Sequence, residues 1–102
     1  MQIAVVRGTV TSTQKDPQLT GIKFLLIQFL DDQGQPLPKY EVAADNVGAG
    51  TGEWVLVSRG SAARQFSGSE TRPLDAVVVG IIDTVSGESQ LLYSKKDQSS
   101  YY

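Results

Sequence analysis

The sequence predicts an all-β protein, a small OB-like barrel of five to six short strands with one brief helix. Val and Ile dominate the apolar residues and occur in short runs, and Gly, Pro, Asp and Asn separate these runs. This spacing is typical of many short strands rather than of amphipathic helices. A closed or nearly closed barrel suits such strands, because it leaves no open sheet edges.

The first half of the chain holds three predicted strands. Residues 3–11 form the first strand, and Gly8 marks a bulge or bend inside it. Asp-Pro and Thr-Gly pairs then indicate a loop, after which residues 22–30 form the second strand. Residues 31–34 have the composition of a hairpin turn, and residues 40–44 form a short third strand. Two prolines between the turn and this strand exclude a central strand there, since proline cannot donate to a β-ladder.

The second half holds three further strands and the helix. Residues 54–59 form the fourth strand, and Ser61 is a plausible N-cap for a short helical turn through Gln65. Residues 76–82 form the most apolar strand of the chain. A Ser-Gly turn then leads to a last strand at residues 90–93.

The length of 102 residues allows one domain, and no internal repeat or linker interrupts it. Beyond the last predicted strand, apolar residues give way to Ser, Lys, Asp and Gln. We predict that residues 1–94 form the barrel domain and that residues 95–102 form a polar C-terminal tail.

Two of the predicted strands are apolar on both faces. A solvated barrel wall alternates apolar and polar residues, yet residues 22–30 and 76–82 carry apolar side chains at odd and even positions alike. A lone barrel of this size cannot bury both faces of two strands, so we expect another subunit to cover part of this surface. The alternative is that long loops of the same chain cover it.

Composition argues against most catalytic constellations. The chain has no Cys and no His, which removes thiolate nucleophiles, Ser/His/Asp triads and zinc-bound water. The formal net charge is -2, with both signs interspersed, whereas a nucleic-acid binder normally carries a basic stripe. No apolar run is longer than the four residues at 24–27, which is far too short to span a bilayer. We therefore expect a soluble, unexported protein without cofactor or metal.

A glycine-rich loop at residues 45–52 is one candidate site. Closely spaced glycines let backbone N–H groups surround an anion, but neither a Lys-Ser/Thr pair nor a helix follows Gly52, as a phosphate loop requires. A tight loop where several subunits crowd an axis explains the glycines better. If Gly50 is crowded or left-handed, Gly50→Val should impair assembly more than folding.

Other candidates have simpler interpretations. Ser61 and Arg64 suit an anion site at a helix N-terminus, or else an ordinary N-cap beside an ion pair. Asp75 and Asp83 bracket a strand too far apart for shared acid–base chemistry, and strand-end caps or interface ion pairs fit them better. Trp54 suits base or sugar stacking in an OB-like groove, although a core or interface aromatic is commoner.

The order and spacing of several motifs resemble the CcmL/EutN family of microcompartment vertex proteins along almost the whole chain. The motifs are Gln-Ile-Ala at residues 2–4, Arg-Gly-Thr-Val at 7–10, Tyr-Glu-Val-Ala-Ala-Asp at 40–45, Val-Gly-Ala-Gly at 47–50, Glu-Trp-Val-Leu-Val at 53–57, Arg-Gly-Ser-Ala-Ala-Arg at 59–64, and Asp-Ala-Val-Val-Val-Gly-Ile-Ile-Asp at 75–83. The segment at residues 91–98 is more similar to the cyanobacterial carboxysome branch than to the ethanolamine branch.

This resemblance implies a non-enzymatic shell protein that assembles as a cyclic homopentamer and caps the vertices of a polyhedral carboxysome shell. Its expected partners are hexameric shell proteins, and its expected location is the carboxysome shell in the cytoplasm of a cyanobacterium. The candidate residues for the central opening or a subunit interface are Gly48, Ala49, Gly50, Gly52, Ser61 and Arg64. The alternative function is an OB-like module that binds single-stranded nucleic acid or an oligosaccharide through Trp54 and the tyrosines.

Overall fold

A computed structural model describes residues 1–13, 15–60, 75–88 and 91–95 of the chain. Its strands are β1 (Gln2–Val10), β2 (Phe24–Leu30), β3 (Pro36–Asp45), β4 (Trp54–Arg59), β5 (Ala76–Ile81), β6 (Thr84–Ser86) and β7 (Leu91–Ser94). A one-turn 3-10 helix, Pro17–Leu19, lies between β1 and β2, where Pro17 occupies its first turn and the Asp16 side chain accepts the Gln18 N–H.

Five of the strands close into a barrel in the order β1-β2-β3-β5-β4, and β4 pairs back onto β1. All the neighbours are antiparallel except β3 and β5, which run parallel and pair only at Ala44↔Val77 and Asp45↔Val78. The predicted all-β, OB-like barrel is therefore confirmed. β6 and β7 form a separate two-stranded ribbon outside the barrel.

Inward-facing side chains fill the barrel. Alternate residues of each strand point to the same face, so the barrel interior takes every second residue of each wall. These side chains form one buried cluster: Ala4, Val6, Leu25, Ile27, Phe29, Ala43, Ala49, Val55, Val57, Ala76 and Val78. Burying apolar surface at about 25 cal/mol per Å² makes this cluster the main source of the stability of the single chain.

The β6–β7 ribbon covers one outer wall of the barrel. Tyr93 of β7 and Ile82 pack there against Val5, Leu30 and Trp54. On another wall, the loop containing the 3-10 helix covers Ala44 and Val77, with Leu19, Ile22 and Phe24 half-buried around them. Much of the second apolar face on β2 and β5 is thus buried within the chain, as the alternative interpretation of the sequence held.

The bulge predicted in β1 is present. The β1–β2 register shifts between Val6 and Gly8, so Arg7 is the extra residue of the bulged strand. The Arg7 Nε–H donates to Gln28 Oε1 at 2.8 Å, and Gln28 Nε2 donates to the Leu37 carbonyl oxygen at 2.9 Å. These bonds satisfy the amide of Gln28, which is buried on the outer face of β2.

The structure corrects the start of one predicted strand and adds a strand that was not predicted. β3 begins at Pro36 rather than at Tyr40. Proline is tolerated there because β5 pairs only with the end of β3, so the first half of β3 has a ladder partner on one side only. The short β6 was not predicted, because three residues are too few to show alternation.

The predicted helix at residues 61–65 lies outside the described residues, and so does Gln90 at the start of the predicted last strand.

Candidate functional site

Asp45 organises the glycine-rich loop from its first residue. Its carboxylate accepts hydrogen bonds from the backbone N–H groups of Val47 at 3.0 Å, Gly48 at 2.9 Å and Ala49 at 3.1 Å. The Asp45 side chain is 1% exposed, and Lys23 Nζ lies 3.9 Å from its Oδ2. A buried carboxylate that accepts several N–H bonds fixes the backbone path of the loop.

Two of the loop glycines have a left-handed backbone. Gly48 has φ +78° and Gly52 has φ +88°, conformations that only glycine adopts at little cost. Gly50 is not left-handed, and a Cβ added there would meet only Glu53 Oε1 at 3.4 Å. Within the single chain, Gly50 is therefore neither left-handed nor crowded, so the condition for the predicted effect of Gly50→Val is not met. Gly48 and Gly52 are the positions where the backbone requires glycine.

Most N–H groups of this loop are already bonded. Besides the three that Asp45 accepts, the Gly50 N–H donates to Glu53 Oε1 at 2.6 Å and the Gly52 N–H donates to the Val6 carbonyl oxygen at 2.8 Å. A phosphate loop needs such groups aimed at the ligand. The loop is thus held by the chain's own oxygens, and its N–H groups are not arranged around a bound anion.

The predicted opening or interface residues differ in accessibility. Gly48 and Gly50 are exposed, and Gly52 is half-buried. Ala49 is 1% exposed and belongs to the cluster inside the barrel, so its side chain is not offered to a neighbouring copy. Ser61 and Arg64 lie outside the described residues.

Glu53 joins the glycine-rich loop to the end of β7. One carboxylate oxygen accepts the Gly50 N–H, and the other lies 2.9 Å from Lys95 Nζ. The hydrogen bond from Lys95 lowers the pKa of Glu53 against the opposing effect of burial, and Glu53 raises the pKa of Lys95. The Lys95 side chain is therefore paired with Glu53, and the Lys95 backbone N–H donates to the Asp83 carbonyl oxygen at 2.8 Å.

Trp54 is part of an aromatic stack on the outer wall. Its ring lies 4.2 Å from the Tyr93 ring, centroid to centroid, at an interplanar angle of 12°. A Cβ on Gly34, in the β2–β3 turn, would lie 2.8 Å from the Trp54 ring. Trp54 is 6% exposed, so the core interpretation of this residue is confirmed and neither ring face is open to a base or sugar.

A group of charged residues at one mouth of the barrel was not predicted. Arg59 donates from Nε to Glu41 Oε2 at 3.1 Å and from its terminal nitrogen to Glu41 Oε1 at 2.7 Å. The Arg59 guanidinium and Lys39 Nζ lie 5.4 Å and 5.1 Å from the centre of the Phe29 ring. The sequence did carry a signal for this group. Inward-facing positions of β3 and β4 change from apolar to charged residues at a strand end.

Two patches of apolar side chains stay exposed on the barrel wall. Tyr40 is 56% exposed and Val42 is 47% exposed, and both point outward from β3. Leu56 is 36% exposed on β4. Its cross-strand partners are Ile3 on β1 and Gly80 on β5. The sequence carried a signal for Leu56, because residues 54–57 are apolar at every position and both faces of that strand therefore carry apolar side chains.

Asp75 and Asp83 flank β5 at its two ends, and their main-chain carbonyl oxygens accept N–H bonds from Gly60 and Lys95. Among the residues that the structure describes, no three acidic side chains come together as a metal site would need. Over the same ranges, no helix has the length and apolar character to cross a membrane.

Comparisons with known proteins place the chain among shell proteins. Residues 1–83 match the family described as ethanolamine utilisation protein EutN/carboxysome. The carboxysome shell vertex protein CcmL of Gloeobacter violaceus is 70% identical over 98 residues, which cover 96% of this chain and 98% of that protein.

Solved structures agree with this match. The structure of Gloeobacter violaceus CcmL superposes with a TM-score of 0.90, covering 95% of this chain and 100% of that one. GrpN, a pentameric microcompartment shell protein from Rhodospirillum rubrum, is 46% identical, with a TM-score of 0.78, over 85% of this chain and 99% of that one.

Proposed function

This chain belongs to the EutN/carboxysome CcmL family, and from that membership we propose that it forms the pentamers that cap the vertices of a cyanobacterial carboxysome shell. The observation that carries the proposal is the 70% identity to a shell vertex protein over 96% of the chain. The pentameric state of a relative with the same fold supports the five-fold ring.

The role follows from the geometry of closed polyhedra. Hexagons tile a plane, so a shell built of hexameric tiles closes only where pentagons replace hexagons. A pentamer at each vertex therefore supplies curvature rather than chemistry. Hexameric shell proteins are the neighbours that this role requires.

We propose that the chain catalyses no reaction. In support, the relatives carry the names of shell vertex proteins. The chain has no His and no Cys, which leaves few groups that titrate near neutral pH. The Asp45 carboxylate, whose side chain is 1% exposed, is occupied by backbone N–H groups of its own loop.

Gly48, Gly50 and Gly52 stay candidates for the central opening or a subunit interface, together with Ser61 and Arg64. The exposure of Gly48 and Gly50 supports this assignment. The split of the chain into residues 1–94 and a tail at 95–102 also stays a prediction.

Co-expression with hexameric shell proteins tests the function. Hexamers with this chain should yield closed particles by electron microscopy, and hexamers alone should yield sheets, tubes or open shells. Equal numbers of closed particles with and without the chain would contradict the proposal. The binding-module alternative is disfavoured because Trp54, the residue it requires, is buried against Tyr93.

A further inference from the structure

A cleft of about 370 Å³ opens on the outer wall of the barrel, beside the β1 bulge. The end of β2, the β2–β3 turn and β7 form its other sides. Small-molecule sites in proteins are concave, largely apolar and about 300–1,000 Å³ in volume, with a few convergent polar groups. We call this depression the bulge cleft. Its polar lining includes Arg7, Gln33 and Gln35, and its apolar lining includes Leu30, Trp54 and Leu92.

The bulge places Arg7 at the cleft, and a buried neighbour orients it. Arg7 is the extra residue of the bulged strand, and a bulge changes the direction of the side chain at that point. Gln28 Oε1 accepts the Arg7 Nε–H at 2.8 Å, and Gln28 Nε2 donates to the Leu37 carbonyl oxygen at 2.9 Å. Gln28 is 8% exposed, so this chain of bonds across three strands holds the exposed guanidinium from its buried side.

The guanidinium is the group in the cleft that suits a carboxylate. Arginine carries five N–H donors in a planar fork, and a carboxylate accepts two parallel N–H bonds from such a fork. The Nε–H of Arg7 is donated to Gln28. A two-bond contact with an anion therefore falls to the two terminal nitrogens of Arg7.

The charge of the cleft selects an anion with one negative charge. Among the described residues that line it, Arg7 is the one charged residue, and the side-chain amides of Gln33 and Gln35 are neutral donors. Asp31 lies in the same turn but is not part of the lining, and its carboxylate accepts the backbone N–H groups of Gln33 and Gln35. One guanidinium balances a carboxylate, whereas a phosphate dianion would keep an unbalanced charge.

The apolar side of the cleft depends on Gly34. Gly34 lines the cleft with φ +78°, and a Cβ there would lie 2.8 Å from the Trp54 ring. The missing side chain lets the β2–β3 turn approach the edge of that ring closely. Leu30 and the half-buried Leu92 lie on the same lining, so an apolar body placed here is shielded from water.

We propose that the bulge cleft binds a small organic monoanion, in which a carboxylate adjoins a short apolar body. Arg7 binds the carboxylate, the amides of Gln33 and Gln35 donate to it from the turn, and Trp54 and Leu92 contact the apolar body. The cleft shares no residue with the glycine-rich loop. The proposal adds a ligand to the chain and does not depend on the vertex function.

Titration of the assembled wild-type protein with benzoate tests the site, and benzamide is the neutral probe of the same shape. Benzoate should shift the backbone amide resonances of Arg7, Gly34 and Leu92. It should bind about tenfold to a hundredfold tighter than benzamide, because its bonds to Arg7 are charge-assisted. It should also bind more tightly than inorganic phosphate. Equal affinity for benzoate and benzamide, tighter binding of phosphate, or shifts confined to other parts of the chain overturn the inference.

Two glutamine variants separate local charge from global charge. Gln35→Glu adds a negative charge at the cleft and should weaken benzoate binding about twofold to fivefold. Gln18→Glu makes the same change in the exposed 3-10 helix, outside the cleft, and should leave benzoate binding unchanged. Unchanged binding in Gln35→Glu, or equal weakening in both variants, overturns the inference.

Arg7→Gln tests the anion-binding group itself. It should abolish the preference for benzoate over benzamide, and circular dichroism and Trp54 fluorescence check that the barrel is folded. A folded Arg7→Gln variant that keeps the preference overturns the inference. If loss of the bond to Gln28 unfolds the chain, the comparison of Gln35→Glu with Gln18→Glu decides.

Discussion

Trp54 and Tyr93 stack face to face, although 39 positions separate them in the sequence, and their contact fastens the β6–β7 ribbon to the barrel wall. The two rings are nearly parallel, and Tyr93 is fully buried. A stacked aromatic pair adds about 0.5–1.5 kcal/mol beyond the apolar area that it buries. Among the ribbon residues that the structure describes, Ser94 is the other buried one, so the position of the ribbon depends strongly on this pair.

Tyr93→Ala should detach the ribbon. Truncating a buried aromatic costs about 3–5 kcal/mol of unfolding free energy, and here it also uncovers Trp54. Urea unfolding at fixed protein concentration measures the loss, and the emission of Trp54, the only tryptophan, should shift to the red. Tyr93→Phe keeps the ring and should cost at most about 1 kcal/mol. Equal losses in the two variants would argue against the stack as the fastening contact.

Gly34→Ala should destabilise the β2–β3 turn for two reasons. Gly34 has φ +78°, and a Cβ there would lie 2.8 Å from the Trp54 ring. We expect a loss of about 1–3 kcal/mol from strain and crowding together. Gly21→Ala is the control, since Gly21 has φ +84° with nothing within 4 Å of its Cβ position. A loss no larger than that of Gly21→Ala would show that Trp54 moves aside without cost.

Asp45→Ala should loosen the glycine-rich loop. The substitution leaves the N–H groups of Val47, Gly48 and Ala49 without their acceptor, and the Ala49 site is buried. We expect a loss of about 1–3 kcal/mol and faster amide hydrogen exchange at these three residues. Asp31→Ala removes a similar carboxylate, one that accepts the exposed N–H groups of Gln33 and Gln35, and should cost less. Unchanged exchange in Asp45→Ala would contradict this role.

The Glu53–Lys95 contact should fail in acid. The pKa of Glu53 is lowered in the folded chain, so its contribution to stability is complete above the unfolded value of about 4.3 and is lost as pH falls through the folded pKa. The Gly50 amide donates to Glu53, so its chemical shift should titrate with a midpoint below that of an unperturbed glutamate. A midpoint that stays low in Lys95→Met would mean that Lys95 is not the main cause.

Composition and pattern predicted the barrel and most of its strands. Residues 54–59 were predicted with both ends correct, because Glu53 and Gly60 bound an apolar run. The bulge was predicted because Gly8 interrupts a strand pattern. The start of β3 was missed because the prolines were taken to exclude a strand. Proline excludes only a strand that is hydrogen-bonded on both sides, and the start of β3 is paired on one side.

The site was harder to predict, because its contacts join distant parts of the chain. Asp45 carried a local signal, an Asp directly before Asn-Val-Gly, which is typical of a carboxylate that binds the following N–H groups. Lys95 and Glu53 carried no local signal, because their pairing depends on where the β6–β7 ribbon packs on the barrel. Tyr40 and Leu56 are exposed because the ribbon and the loop with the 3-10 helix cover other walls of the barrel. The periodicity of the sequence does not predict which walls those segments cover.

The short parallel pairing of β3 with β5 has a consequence for how the chain folds. Only two residue pairs join these strands, and the paired residues are 33 positions apart in the sequence. Contacts this distant are slow to form, because the entropy of closing a long loop precedes any gain from pairing. The antiparallel neighbours β1, β2 and β3 follow one another along the chain and can zip locally. We therefore expect the barrel seam at Ala44 and Asp45 to form after these local pairings and, because only two residue pairs hold it, to open readily in the native chain.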